Sequence, residues 1–176
     1  LSGSSLLQGN DADTGLFSGA TSAAAWPDMQ AAAPFSMDFA PHLGMFKHHA
    51  GEDPVAQLNF MADQGFSSFE DNGMRARPVG LQEKMAEAMA ERGMRMGVFV
   101  AHTIYWDRPD LASGDPDRRD AFLEEIRTSV EVARRVGAKW MTVVPGFQDL
   151  RKAMGYQTAH VAENLKRAAE LLEPHG

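Results

Sequence analysis

Ala90-Glu91-Arg92-Gly93-Met94, followed after Arg95 by Met96-Gly97-Val98-Phe99-Val100-Ala101, is the stretch whose reading decides the fold. Upstream, Leu81, Met85 and Ala88–Met89 recur at helical spacing, and Gly93 stops that helix. Downstream, Met96–Ala101 is apolar on both faces, as a buried parallel strand is. The same joint recurs at Ala62-Asp63-Gln64-Gly65-Phe66 and at Ala133-Arg134-Arg135-Val136-Gly137-Ala138. From Gly65 through Gly93 and Gly137 to Gly176 the glycine spacings are 28, 44 and 39 residues.

Working outward, Met37–His42 reads as a first strand. Asp53-Pro54 then supplies an N-cap and an N1 proline for a helix with Val55, Leu58 and Met61–Ala62 on its apolar face. Phe66–Glu70 reads as the second strand. After the third, Asp115-Pro116 opens a long helix with Phe122, Ile126, Val130 and Ala133 along one stripe. Its other face carries Glu124, Glu125, Arg127, Glu131, Arg134 and Arg135. Trp140–Val144 is the fourth strand, stopped by Pro145-Gly146. Val161, Leu165, Ala168 and Leu172 mark the last helix. The order βαβαβαβα predicts an α/β fold with a parallel sheet and helices outside it.

An open doubly wound sheet and a closed eight-unit barrel share that signature. Phe35–Gly176 is 142 residues over four units, so eight units at the same length need about 280, within the usual range of an eight-stranded barrel. No Gly-x-Gly-x-x-Gly or Gly-x-x-x-x-Gly-Lys-Ser/Thr motif follows the first strand, which weakens a nucleotide-binding doubly wound fold. The barrel reading makes residues 35–176 the N-terminal half of such a domain: the first four strands and helices.

Residues 1–34 differ. They are rich in Ala, Ser and Gly, carry only Asp11, Asp13 and Asp28 as charges, and begin at Leu1. Two readings stand: a flexible tail, or the downstream part of an export leader. The compartment is accordingly cytoplasmic or periplasmic. The whole chain has 24 acidic against 17 basic side chains, a net charge of −7 and no cysteine. That balance argues against a nucleic-acid partner. No run of about 18 apolar residues spans a membrane. Disulfides, thiol catalysis and cysteine-ligated zinc are excluded.

In both architectures ligands bind at the carboxyl ends of the strands. Those ends carry His42, then Glu70-Asp71-Asn72, then His102, then Pro145-Gly146. His42, Glu70 and His102 are the candidate substrate-binding rim, with a carboxylate between two imidazoles expected to favour their protonated forms. Thr103-Ile104-Tyr105-Trp106 follows, placing Trp106 as a possible wall. His48-His49 is read as a solvated loop, and the 11 methionines as core packing.

Phe39-Ala40-Pro41-His42-Leu43-Gly44-Met45-Phe46, the stretch Ala62–Glu70, Val143-Val144-Pro145-Gly146 and Asn164–Gly176 together resemble the hydroxypyruvate isomerase branch of the xylose-isomerase-like TIM barrel superfamily of sugar isomerases and epimerases. The resemblance covers about Phe35–Gly176. It implies a barrel holding one divalent metal (magnesium, manganese or similar), which polarises a carbonyl and hydroxyl pair while carboxylates move a proton through an enediolate. It implies a small sugar or hydroxy-ketoacid as substrate. In that family the metal ligands and the two catalytic glutamates come from the fifth strand onward. No catalytic residue or metal ligand is therefore assigned within this sequence, and the chain alone is expected to be catalytically silent. Only His42, Glu70, His102 and Trp106 carry over, on the substrate side. The Ala-rich start and the charged excursion Asp107–Arg119 depart from the family.

Two other functions compete. One is an abasic-site endonuclease-like barrel, disfavoured by the acidic charge. The other is a non-catalytic domain: a half-barrel whose partner half is another chain, or a relic used only for binding. For the chain itself, the expected partner besides the small molecule is a second copy in a homo-oligomer or a missing C-terminal half.

Overall fold

The computed structural model describes Ala33 and residues 35–176. The leader or tail expected over residues 1–34 lies, Ala33 aside, outside the described residues. The elements are α1 (Lys47–Ala50), α2 (Pro54–Asp63), β1 (Ser68–Phe69), a 3₁₀ turn (Met74–Ala76), α3 (Val79–Arg92), β2 (Arg95–Met96), β3 (Val98–Val100), α4 (Pro116–Val136), β4 (Trp140–Thr142), α5 (Met154–Leu172) and a closing 3₁₀ turn (Glu173–His175).

All pairing is parallel and in sequence order. His42 bridges Glu70, β1 pairs with β2, and β3 pairs with β4. The helices follow suit, α2 packing on α3, α3 on α4 and α4 on α5. No closed barrel forms among the described residues. A doubly wound sheet would reverse strand order at a switch point; this one does not, so the fold is the four-unit half-barrel expected from the joints.

The strands are shorter than their apolar runs. Of Met37–His42 only His42 pairs, and Phe35, Met37 and Phe39 stay about half exposed or more. The third strand divides into β2 and β3 at Gly97. There the Gly97 amide donates to the Phe69 carbonyl at 2.7 Å, and a Cβ would meet that oxygen at 3.0 Å. Glycine lets the two backbones close to that distance. β4 stops two residues early, at Thr142, because the next amide in register, Val144, is taken by a side chain.

The helix signals work as read. Asp53 caps the Ala56 amide at 3.1 Å and Asp115 the Asp117 amide at 2.9 Å, each before a proline at the first helical position. Phe69 and Phe99, fully buried, point to the helices and pack with Leu58, Met61, Met85 and Val132. A second cluster gathers Ala101, Leu111, Phe122, Ile126 and Ala168. One stripe is corrected: Leu165 is 39% exposed, and Asn164 turns inward instead, its amide donating to the Leu111 carbonyl at 2.9 Å. Satisfying a buried carbonyl outweighs burying one leucine edge. His48 and His49 lie in the one-turn helix α1 rather than a loop, with the His49 ring stacked on Phe60 at 5.4 Å.

A repeat absent from the sequence reading emerges here. Gln57, Gln82 and Gln157 are each the fourth residue of their helices and each almost fully buried. Gln57 accepts from the Gly44 amide at 2.8 Å and donates to the Gly51 carbonyl at 2.9 Å. Gln82 donates to the Met74 and Arg77 carbonyls at 3.0 and 2.9 Å and accepts from Arg135. Gln157 accepts from the Asp149 amide at 2.9 Å and donates to the Asp149 and Lys152 carbonyls at 3.0 and 3.2 Å. A primary amide both donates and accepts, so one side chain closes the backbone account of a turning loop that neither sheet nor helix can satisfy. Three of the four units thus tie the loop before a helix to that helix's second turn.

Candidate functional site

Parallel pairing brings the strand ends to one side, and the loops there are joined in succession. Strand-end alternation turns Phe69 into the core and leaves Glu70 half-buried on the opposite face of the sheet. His42, its bridge partner, is also half-buried. The His42 Nδ1–H donates to the Leu43 carbonyl at 2.6 Å, and its Nε2 accepts from the Asn72 amide at a long 3.4 Å. Asp71, next to Glu70, is only 2% exposed and serves structure: it accepts from the Gly73 amide at 3.0 Å and pairs bidentately with Arg77.

His102 sits differently. It is 5% exposed, its ring edge-on to Phe122 at 5.2 Å. Its Nε2 accepts from the Val144 amide at 3.2 Å, which leaves the ring proton on Nδ1, and that buried nitrogen has no hydrogen-bond partner. Burial lowers the His102 pKa below the ordinary histidine value; the Glu125 carboxylate, and more weakly the Thr103 backbone, Asp110 and the Val144 backbone, oppose this without overcoming it. The expected protonation of this imidazole is therefore corrected: desolvation of the cation exceeds the attraction of the nearby carboxylates.

Beyond His102, Glu125 on α4 collects the start of the next loop. It accepts from the Thr103 amide at 2.6 Å, the Thr103 hydroxyl at 2.8 Å and Arg75 at 3.3 Å. Arg75 also donates to the Thr103 hydroxyl at 2.9 Å, joining the second strand's loop to the third's. An open cleft of about 350 Å³ lies outside this knot, lined by Tyr105, Arg108, Asp110, Arg118, Phe122 and Glu125 among others. Burial raises the Asp110 carboxyl above the usual carboxylate range, with Arg118 opposing. Trp106 is 68% exposed. Tyr105 is held from two sides, with the Arg108 guanidinium 4.1 Å over its ring and the Phe147 amide donating to its carbonyl at 3.1 Å.

His42 and Glu70 are thus neighbours across paired strands. His102 is turned toward α4 and β4, and Trp106 projects from the loop above it. None of the four lines the 350 Å³ cleft. Among the described residues no three His, Asp or Glu side chains converge as a metal ion would need, so these residues offer a metal no donor set.

A family model described as a xylose isomerase-like TIM barrel matches residues 58–176, more than half of the sequence. The chain belongs to the xylose isomerase-like TIM barrel family. The search of curated proteins finds no match. Among solved structures, this xylose isomerase-like chain is similar to the apo form of 3-keto-D-glucoside 4-epimerase, YcjR, from E. coli. The TM-score is 0.59 at 18% identity, covering 78% of this chain and 52% of that one. The chain therefore spans about half the length of that structure. At that identity the likeness speaks to fold, and it agrees with four units of an eight-unit barrel.

Arg75, Thr103 and Glu125, which join the loops after the second and third strands, are not singled out by sequence reasoning. The helical pattern places Glu125 among the outward charges of α4, whereas the structure half-buries it. Nothing local distinguishes it from Glu124, its exposed neighbour.

Proposed function

We propose that this chain is the N-terminal, substrate-side half of a sugar or hydroxy-ketoacid isomerase or epimerase. The reaction moves a proton between neighbouring carbons through an enediolate, with hydroxypyruvate and small ketoses as the first substrates to try. The observation that carries this reading is the family match over residues 58–176, from within α2 onward, in a chain whose parallel strands share one carboxyl side. On that side His42, Glu70, His102 and Trp106 form the proposed substrate rim. Glu70 offers a half-exposed acceptor for sugar hydroxyls, and Trp106 an exposed apolar wall. The imidazoles of His42 and His102 stand behind them, both with Nε2 engaged. The divalent metal and the proton-moving carboxylates belong, in this proposal, to residues outside those described.

The test uses the protein encoded by the whole reading frame, supplied with magnesium or manganese and incubated in D₂O with hydroxypyruvate and a panel of ketoses. Solvent deuterium entering the carbon beside the carbonyl is the expected result, weakened by Glu70→Gln chiefly through KM. Absence of exchange from every member of the panel, with cleavage of abasic DNA instead, overturns the proposal.

A further inference from the structure

The β3–β4 ladder runs Val98 to Trp140, Phe99 to Met141 and Val100 to Thr142, and closes with the Ala101 amide on the Thr142 carbonyl at 3.0 Å. Two residues further in the same register, position 102 faces position 144. There the ladder does not end. The Val144 amide donates instead to the His102 imidazole, and three residues later the Phe147 amide donates to the Tyr105 carbonyl at 3.1 Å. Between these two bonds stands Gly146, at φ +79°, where a Cβ would come within 2.6 Å of the Tyr105 oxygen.

From this continuation we infer that His102 is a positioning residue. Its neutral imidazole extends the sheet past its last backbone bond, and with the Tyr105–Phe147 contact latches the loop that carries Trp106 to the loop after β4. The role rests on geometry. It meets the proposed function in that His102 and the loop it latches are both assigned there to the substrate side.

The chemistry of the imidazole makes the latch sensitive to acid. An imidazolium donates from both nitrogens, so a proton on Nε2 would set N–H against the Val144 N–H and remove the acceptor. The charged groups facing His102 are Glu125 from α4 and Asp110 from the intervening loop, while Phe122 and Val144 bring none. Both carboxylates favour the proton and burial opposes it, so the latch is closed at neutral pH and opens below the ordinary histidine range. Gln57, Gln82 and Gln157 have no such proton to gain.

Amide hydrogen exchange read residue by residue by NMR, corrected for intrinsic rates, tests this in the protein of this sequence. Between pH 7.5 and 5, protection at Val144 and Phe147 is expected to fall by about tenfold or more, the loss of one buried acceptor, while Arg95 and Gly97 in the β1–β2 ladder hold. In His102→Gln the side-chain carbonyl keeps an acceptor that cannot titrate, and the pH dependence disappears. In Gly146→Ala, Phe147 loses protection at every pH and Val144 retains it. Protection at Val144 and Phe147 that is flat with pH in the wild type, or a fall that persists unchanged in His102→Gln, overturns the assignment. Absence of sugar or hydroxy-ketoacid binding by the wild type defeats the proposed function and leaves the exchange result standing.

Discussion

The third βα unit and the other three solve one problem with different chemistry. Each has a loop at the carboxyl end of a strand whose backbone groups must be paired before the chain enters a helix. In the first, second and fourth units a glutamine at the fourth helical position pairs these loop groups from its own helix, Gln82 also accepting from Arg135 on α4. In α4 that position holds Arg119, whose guanidinium among the described residues pairs with its neighbour Asp120. The longer third loop is tied instead by His102, by Glu125, and by Asn164 from the next unit's helix. Ionisable groups tie parts of the other loops too, Asp71 with Arg77 in the second and Asp149 with Arg151 in the fourth, but each of those loops also has a glutamine that cannot titrate, which the third lacks. The third loop also carries the exposed Trp106, assigned above to the proposed rim. A loop tied by ionisable side chains can be loosened without unfolding the units on either side.

The largest test of that contrast is Gln82→Ala. Two carbonyls and the Arg135 guanidinium lose a buried partner, and stability should drop by ~2–4 kcal/mol in urea denaturation. Arg119→Ala, at the same helical position in α4, should change it by no more than ~0.5 kcal/mol. Comparable losses at the two positions would break the comparison.

The second test is pH. The folded-state pKa of His102 lies below its unfolded value because burial disfavours the cation. Between the two values the unfolded chain binds more protons, so stability falls as pH drops below about 6.5 and is fully present above it. Asp110, raised by burial, works the other way at more acid pH. Thermal melts from pH 8 to 5 should show the decline in the wild type and a flatter profile in His102→Gln.

Third, Glu125→Gln should cost about 1 kcal/mol through the weakened Thr103 and Arg75 contacts. It should also move the His102 titration further down, since Glu125 is the leading group that raises it. An NMR titration of the imidazole that moves up, or not at all, would sever the coupling drawn between α4 and the latch. The smallest effect belongs to Trp106→Ala. At 68% exposure its loss should shift stability by less than ~0.5 kcal/mol while weakening the proposed sugar or hydroxy-ketoacid binding, measured calorimetrically in the protein of the whole reading frame. A large stability loss would make Trp106 a packing residue instead of a wall.

Much of this architecture was legible in the residues. Asp53-Pro54 and Asp115-Pro116 announce helix starts through local bonds a few residues long, and Gly93 and Gly137 end helices in the left-handed conformation their position asks for. The apolar run Val98-Phe99-Val100 declares a strand covered on both sides. Such signals depend on neighbours in sequence, and the parallel, in-order sheet follows from their alternation. Gln57, Gln82 and Gln157 were also in view, but a glutamine on a helix is ordinarily a surface residue. Only the loop folded back against each one shows what it bonds.

The sequence by itself therefore determined the four units, their order and the side of the sheet where His42, Glu70 and His102 fall, because spacing, capping and period are local and repeat. Tertiary structure alone decided what those residues do there. Whether His102 is a charged donor or a neutral acceptor depends on Phe122 against its ring, the Val144 amide at its Nε2 and the carboxylates of Asp110 and Glu125 nearby. These groups come from 8 to 42 positions away in the chain. The desolvation that sets its protonation is a property of that enclosure.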